Sequence, residues 1–170
     1  MLKGQVAAAA RGAPKDDDVR KLPGDDGAPL AASGLNRHVG FMLRLAMAAV
    51  LDDMARALKK FDLRPSQYAC LLAVQGEPGL NQQSIGKILS VKHSNLVGII
   101  SELEERGLVD RARPNSDRRA NIVYLTKSGA RLLRDLTPIV DSHHGKLVKA
   151  VGRKDLGLLL KSLDRLTRLG

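Results

Sequence analysis

The sequence predicts a mainly α fold, a winged helix-turn-helix with a helical dimerisation region, about six helices plus a two- or three-stranded wing. Three observations carry that prediction. Between residues 80 and 106, a short and a longer segment of helical apolar spacing are separated by the turn Ser90-Val91-Lys92. After Leu108 the apolar period falls from 3.6 to 2, as a strand requires. Pro114-Asn115-Ser116-Asp117 then supplies turn residues between two strand-like runs, within a tip rich in arginine.

Residues 1–33 are rich in Ala, Gly, Pro and Asp and show no apolar period, so a flexible arm is expected there. Helix one is expected over 35–60, where Leu35, Val39, Met42, Leu43, Ala46, Val50, Met54 and Leu58 recur at spacings of three and four. Pro65 opens helix two, because its missing N–H would lack a partner in the first turn anyway. Tyr68, Leu71 and Leu72 are expected inward, and Gly76-Glu77-Pro78-Gly79 ends the helix. Asn81 caps helix three, Leu80 can staple against Ile85, and Ile85, Ile88 and Leu89 are assigned to the core. Helix four covers about 93–106, with Leu96, Ile99, Ile100 and Leu103 as its buried stripe and Gly107 as its stop.

In the ribbon, Val109 and Arg111 alternate with Asp110 and Ala112, and Ile122-Val123-Tyr124-Leu125 returns. Thr126 caps helix five, which runs to about residue 151 before Gly152. Helix six covers about 154–169, with Leu156, Leu159, Leu160, Leu163 and Leu166 on one side. A small winged domain cannot cover that leucine face alone, so a homodimer is expected. The chain is thus expected to divide into an arm (1–33), a helical dimerisation region (34–62 and 127–170) and a winged helix-turn-helix region (63–126).

The chain has 170 residues, enough for one domain with appended segments. Two Phe, two Tyr and no Trp leave the core to Leu, Val, Ile, Ala and Met, which suits packed helices. The net charge of +10 lies wholly outside the arm, where five basic and five acidic residues cancel. A basic folded region attracts polyanions, and double-stranded DNA leads the candidates over a merely solubilising surface. The one cysteine, Cys70, permits no intrachain disulfide and fits the reducing cytoplasm. The Ala run after Lys3 is too short for a secretory signal, and no apolar run approaches bilayer length.

The outward face of helix four carries His93, Ser94 and Asn95, with Gly98 one turn on. Asn can pair bidentately with adenine, and Ser can pair with several base edges. Lys92 stands where a capping residue is usual and can meet a phosphate instead. Arg111, Arg113, Arg118 and Arg119 cluster on the ribbon, and inserted arginine suits the potential of a narrow minor groove. The Asp117 carboxylate can hold the Arg119 guanidinium at the tip. The competing readings are an ordinary solvated helix face and a charged, edge-protecting hairpin.

These residues resemble the MarR family of transcription regulators. The matching elements are Leu63-Arg64-Pro65-Ser66-Gln67-Tyr68, the run from Leu96 to Val109, the Asp117-Arg118-Arg119 tip and Leu125-Thr126. The resemblance covers about residues 35–169. It implies a homodimer joined through helices one, five and six, a palindromic operator, repression, and release by a small anionic or aromatic ligand. It assigns the wing arginine to Arg119 and its carboxylate partner to Asp117. Two departures stand out: Arg64 replaces a small hydroxyl cap, and the leader is longer than the family needs.

The resemblance places the effector pocket between helices one, two and five, where Arg37, His38, Met42, Arg44, Met47, Ser66 and Tyr68 are the candidates. Arginine at its mouth suits an aromatic carboxylate or its coenzyme A thioester. Some family members sense oxidants through a cysteine, so redox sensing at Cys70 is an alternative; a non-specific DNA-architectural protein is another. No metal or cofactor is expected, since the four His lack ligand spacing. No nucleophile–base pair, apolar carboxylate pair or phosphate-cradling glycine loop points to an enzyme.

Overall fold

The computed structural model describes residues 34–112 and 122–169. The chain divides into two compact units, Met1–Ala49 and Val50–Gly170. In the first, a 3-10 turn over Leu35–Arg37 precedes helix α1 (Val39–Leu58), within which the division falls. The Arg44 guanidinium lies 4.9 Å from the centroid of the Phe41 ring, a cation–π contact one turn apart. Leu35, Val39, Met42, Leu43 and Ala46, the residues whose spacing predicted the helix, are exposed in the single chain. In the part of α1 that belongs to the second unit, Val50 is half-buried, Met54 packs against the core and Leu58 is buried in it.

In the second unit, Lys59–Phe61 form a 3-10 turn and Asp62, at φ 49°, redirects the chain. Helices α2 (Pro65–Gly76), α3 (Gln82–Leu89) and α4 (His93–Glu105) follow, then strands β1 (Val109–Ala112) and β2 (Ile122–Leu125), then α5 (Lys127–Val151) and α6 (Leu156–Leu166). The strands are antiparallel in the register Val109 with Leu125 and Ala112 with Ile122. Asn81 adds a single bridge to Ile122, and the Val123 N–H donates to the Leu80 carbonyl at 3.0 Å. The wing is therefore two strands with one bridging residue beside them. No described helix is long and apolar enough to cross a membrane.

Local signals explain most boundaries. Pro65 sits in the first turn of α2, and Gln67 Oε1 accepts the Arg64 N–H at 2.9 Å. Arg has no acceptor with which to return a side-chain bond, so only half of a capping box forms. Asn81 Oδ1 accepts the Ser84 N–H at 2.8 Å, the expected cap of α3. Thr126 Oγ1 accepts the Gly129 N–H at 3.0 Å and caps α5. Gly107 at φ 64° follows α4 and Gly152 at φ 90° follows α5. Pro138 lies inside α5 and offers no N–H to the Arg134 carbonyl, a break that the apolar pattern did not signal.

The core gathers Leu71 and Val74 of α2, Ile85 of α3, and Leu96, Ile100 and Leu103 of α4 over Val109 and Val123. Two assignments to this core are corrected. Ile88 is 54% exposed, because the buried positions of α3 are Gln82 and Ile85 with Leu89 half-buried. At 100° per residue Ile88 stands about 90° off that stripe. Leu72 is likewise exposed, opposite the face that buries Gln67, Cys70, Leu71 and Val74.

Candidate nucleic-acid interface and ligand cleft

Helix α4 buries Leu96, Ile99, Ile100 and Leu103 and leaves Lys92, His93, Ser94 and Asn95 exposed at its start. Gly98, one turn on, has open space where a Cβ would stand. The Lys92 carbonyl accepts the Asn95 and Leu96 N–H groups at 3.0 and 3.1 Å, so the first turn is formed without a side-chain cap. The other N–H groups of that turn and four polar side chains thus share one solvated end.

The back of α4 is tied down. Arg106 Nη2 donates to the Phe61 carbonyl at 3.0 Å. Arg111 was expected as a free groove contact, but it is half-buried. Its Nη2 donates to Ser101 Oγ at 2.7 Å, and its Nε lies 3.3 Å from Glu104 Oε2. That engagement braces β1 on α4, a role that alternation along a strand cannot distinguish from DNA contact. Arg113, Asp117, Arg118 and Arg119 lie outside the described residues.

A cleft of about 190 Å³ opens between α2 and α5. Tyr68, Leu72 and Gln75 form one wall; Leu133, Arg134, Thr137, Val140 and Asp141 form the other. Burial, then the Asp141 charge, raises the Tyr68 hydroxyl above its ordinary pKa. Of the seven effector candidates, Tyr68 lines this cleft. Ser66 is exposed on the first turn of α2. Arg37, His38, Met42, Arg44 and Met47 belong to the first unit and are exposed. Sequence reasoning missed Arg134, Thr137 and Asp141. Their spacing of three and four gives α5 a polar stripe beside Leu133 and Val140, and that was the available signal.

Cys70 is buried, and burial pushes its thiol up to about 11. The thiolate that an oxidant sensor needs is scarce at neutral pH. His143 is buried too, with Nδ1 2.7 Å from Asp53 Oδ2, while its neighbour His144 is exposed. Lys146 Nζ lies 3.2 Å from Asp53 Oδ1. The hydrogen bond from His143, then that from Lys146, lowers the Asp53 carboxyl from 3.8 to about 2. Because this folded value lies below the unfolded one, the stabilisation is present above about pH 4 and is lost as pH falls through about 2. Asp53→Asn should therefore flatten the loss of stability across that acid window, with little change in its slope nearer neutrality. Urea midpoints measured against pH decide this; parallel curves for both proteins would refute it.

A model of the MarR family matches residues 61–120. The chain is 25% identical over 130 residues to the transcriptional regulator FarR of Neisseria gonorrhoeae, covering 75% of this chain and 88% of that protein. The transcriptional repressor CouR, solved on a 23-mer DNA duplex, is 32% identical with a TM-score of 0.77; the match covers 83% of this chain and all of that one. CouR of Rhodococcus jostii RHA1 bound to p-coumaroyl-CoA is 30% identical with a TM-score of 0.71, covering 80% of this chain and 96% of that one. With the helix-turn-helix, ribbon and long α5 in the order described, this chain belongs to the MarR family of transcriptional regulators.

Proposed function

We propose that the chain is a ligand-released repressor that binds a palindromic operator as a homodimer. The observation that carries the reading is the exposed start of α4, Lys92 to Asn95, on a helix held in the core by a fully packed stripe. Ser94 and Asn95 read base edges there, while Lys92 and His93 meet the backbone. Arg113, Arg118 and Arg119 extend the contact through the wing, with Asp117 orienting Arg119. A repressor bound to DNA is the likeness at 32% identity. Residues 63–126 are the reading head, 34–62 with 127–170 the dimerisation region and 1–33 an arm. This role needs no catalysis and places the protein in the cytoplasm.

The effector in this reading is an aromatic acyl-coenzyme A. A cleft of about 190 Å³ suits an aromatic acyl group. It is below the roughly 300–1,000 Å³ of a site enclosing a drug-sized ligand, so the nucleotide would lie outside. Arg134 supplies a cation on the wall. The likeness to CouR with p-coumaroyl-CoA supports the thioester over the free acid. Moving the population from 1:99 to 99:1 requires about 5.5 kcal/mol of preference for the released state.

The test starts from an operator selected out of random duplexes. Wild type should prefer it over random DNA, and Asn95→Ala should narrow the gap by about 1–3 kcal/mol with non-specific binding nearly unchanged. Titrating p-coumaroyl-CoA into the operator complex should release DNA, whereas p-coumarate should be weaker. Equal affinity for all duplexes would sink the repressor reading. Release by peroxide alone, lost in Cys70→Ser, would replace the ligand with the thiol.

A further inference from the structure

Gln67 and Tyr68 are neighbours in the chain, about 100° apart around α2, and meet different helices. Tyr68 lines the cleft, while Gln67 is 4% exposed and turned toward α4. Both ends of the Gln67 amide are engaged. Its Oε1 accepts the Arg64 N–H at 2.9 Å, and its Nε2 donates to Glu102 Oε2 at 2.7 Å. The Arg64 guanidinium donates to the same carboxylate oxygen. This accounts for Arg64 in place of a small cap: it pairs with the helix that packs on α2.

A buried amide bonded at both ends cannot slide without leaving a polar group unpaired. We infer that the joint of Gln67, Arg64 and Glu102 sets the tilt of α4 against α2, and that Glu102 is a positioning residue for DNA reading. The inference rests on the assignment of α4 as the reading helix. Charge alone gives the opposite expectation. A carboxylate on a reading helix repels phosphate, so its removal should tighten binding to every duplex. Because α2 also forms one wall of the cleft, a displacement of α2 reaches α4 through this joint.

The experiment compares the selected operator with a random duplex for wild type, Glu102→Ala, Glu102→Gln, Arg64→Ala, and Glu102→Ala combined with Gln67→Ala. Glu102→Ala should cut the specific-to-non-specific ratio about tenfold, the scale of coupling within one hydrogen-bond network. Glu102→Gln keeps an acceptor and should stay near wild type. The double variant should lose no more of the ratio than Glu102→Ala, since both act through one joint. The salt slope should stay unchanged, because no phosphate contact is lost. Arg64→Ala, at an exposed position, should lower the ratio by about threefold; if Glu102→Ala folds poorly, an unchanged ratio in Arg64→Ala overturns the joint.

Equal tightening on both duplexes by Glu102→Ala and Glu102→Gln, with the ratio intact, would overturn the joint and leave the repressor reading standing. A wild type that binds all duplexes equally would overturn both.

Discussion

Gly129→Ala should destabilise the fold by about 3 kcal/mol or more, at the upper end of overpacking costs. A Cβ at this buried position would stand 2.1 Å from the Leu108 carbonyl oxygen and 2.8 Å from Leu125 Cδ1. The oxygen cannot readily retreat. It accepts the Thr126 N–H at 3.1 Å and the Thr126 hydroxyl at 3.2 Å. Thr126 in turn caps α5 through the Gly129 N–H, so relieving the clash breaks the cap. Helix propensity gives the opposite sign, because Ala in a helix is favoured over Gly by about 1 kcal/mol. A urea transition at or above the wild-type midpoint would show that propensity wins and that α5 can back away from the wing.

Leu159→Asp combined with Leu163→Asp should convert the proposed dimer to monomers and weaken operator binding by about a hundredfold or more, as linked half-sites become independent. On the leucine side of α6, Leu159, Leu160 and Leu166 are exposed, with Leu160 at 57%. Leu156 and Leu163 are half-buried. Such a face is an interaction surface, and carboxylates placed in it would have to be desolvated on assembly. A two-fold dimer would set two reading helices about 34–36 Å apart on one side of the duplex. Sedimentation of wild type as a monomer at micromolar concentration would contradict the assembly. Full operator affinity in a monomeric double variant would separate assembly from DNA reading.

The elements themselves were legible in the sequence. Helix α4 was expected over 93–106 and spans His93–Glu105; the four residues assigned to its buried stripe, Leu96, Ile99, Ile100 and Leu103, are all buried, while Val97 is exposed. The capping roles of Asn81 and Thr126 and the terminators Gly107 and Gly152 also follow from local chemistry. Where a short helix has apolar residues on two faces, spacing alone misleads. Ile88 and Leu72 were assigned inward, whereas the structure buries Gln82 and Gln67 instead. For Gln67 the amide has one local partner, the Arg64 N–H, and one, Glu102, that lies 35 residues away and that no local pattern announces.

The sequence by itself determined the order of helices, turn and ribbon, the solvated start of α4 and the excess basic charge. Each is a property of composition or of a window of a few residues, where apolar period and caps act. Tertiary structure alone decided the cleft between α2 and α5, the Asp53–His143 pair 90 residues apart, the engagement of Arg111 by Ser101 and Glu104, and the close approach at Gly129. Those features join residues with no shared period, and their energies depend on burial and on distances within an ångström. Packing sets both, because a side chain finds its partners only after the helices have closed on one another.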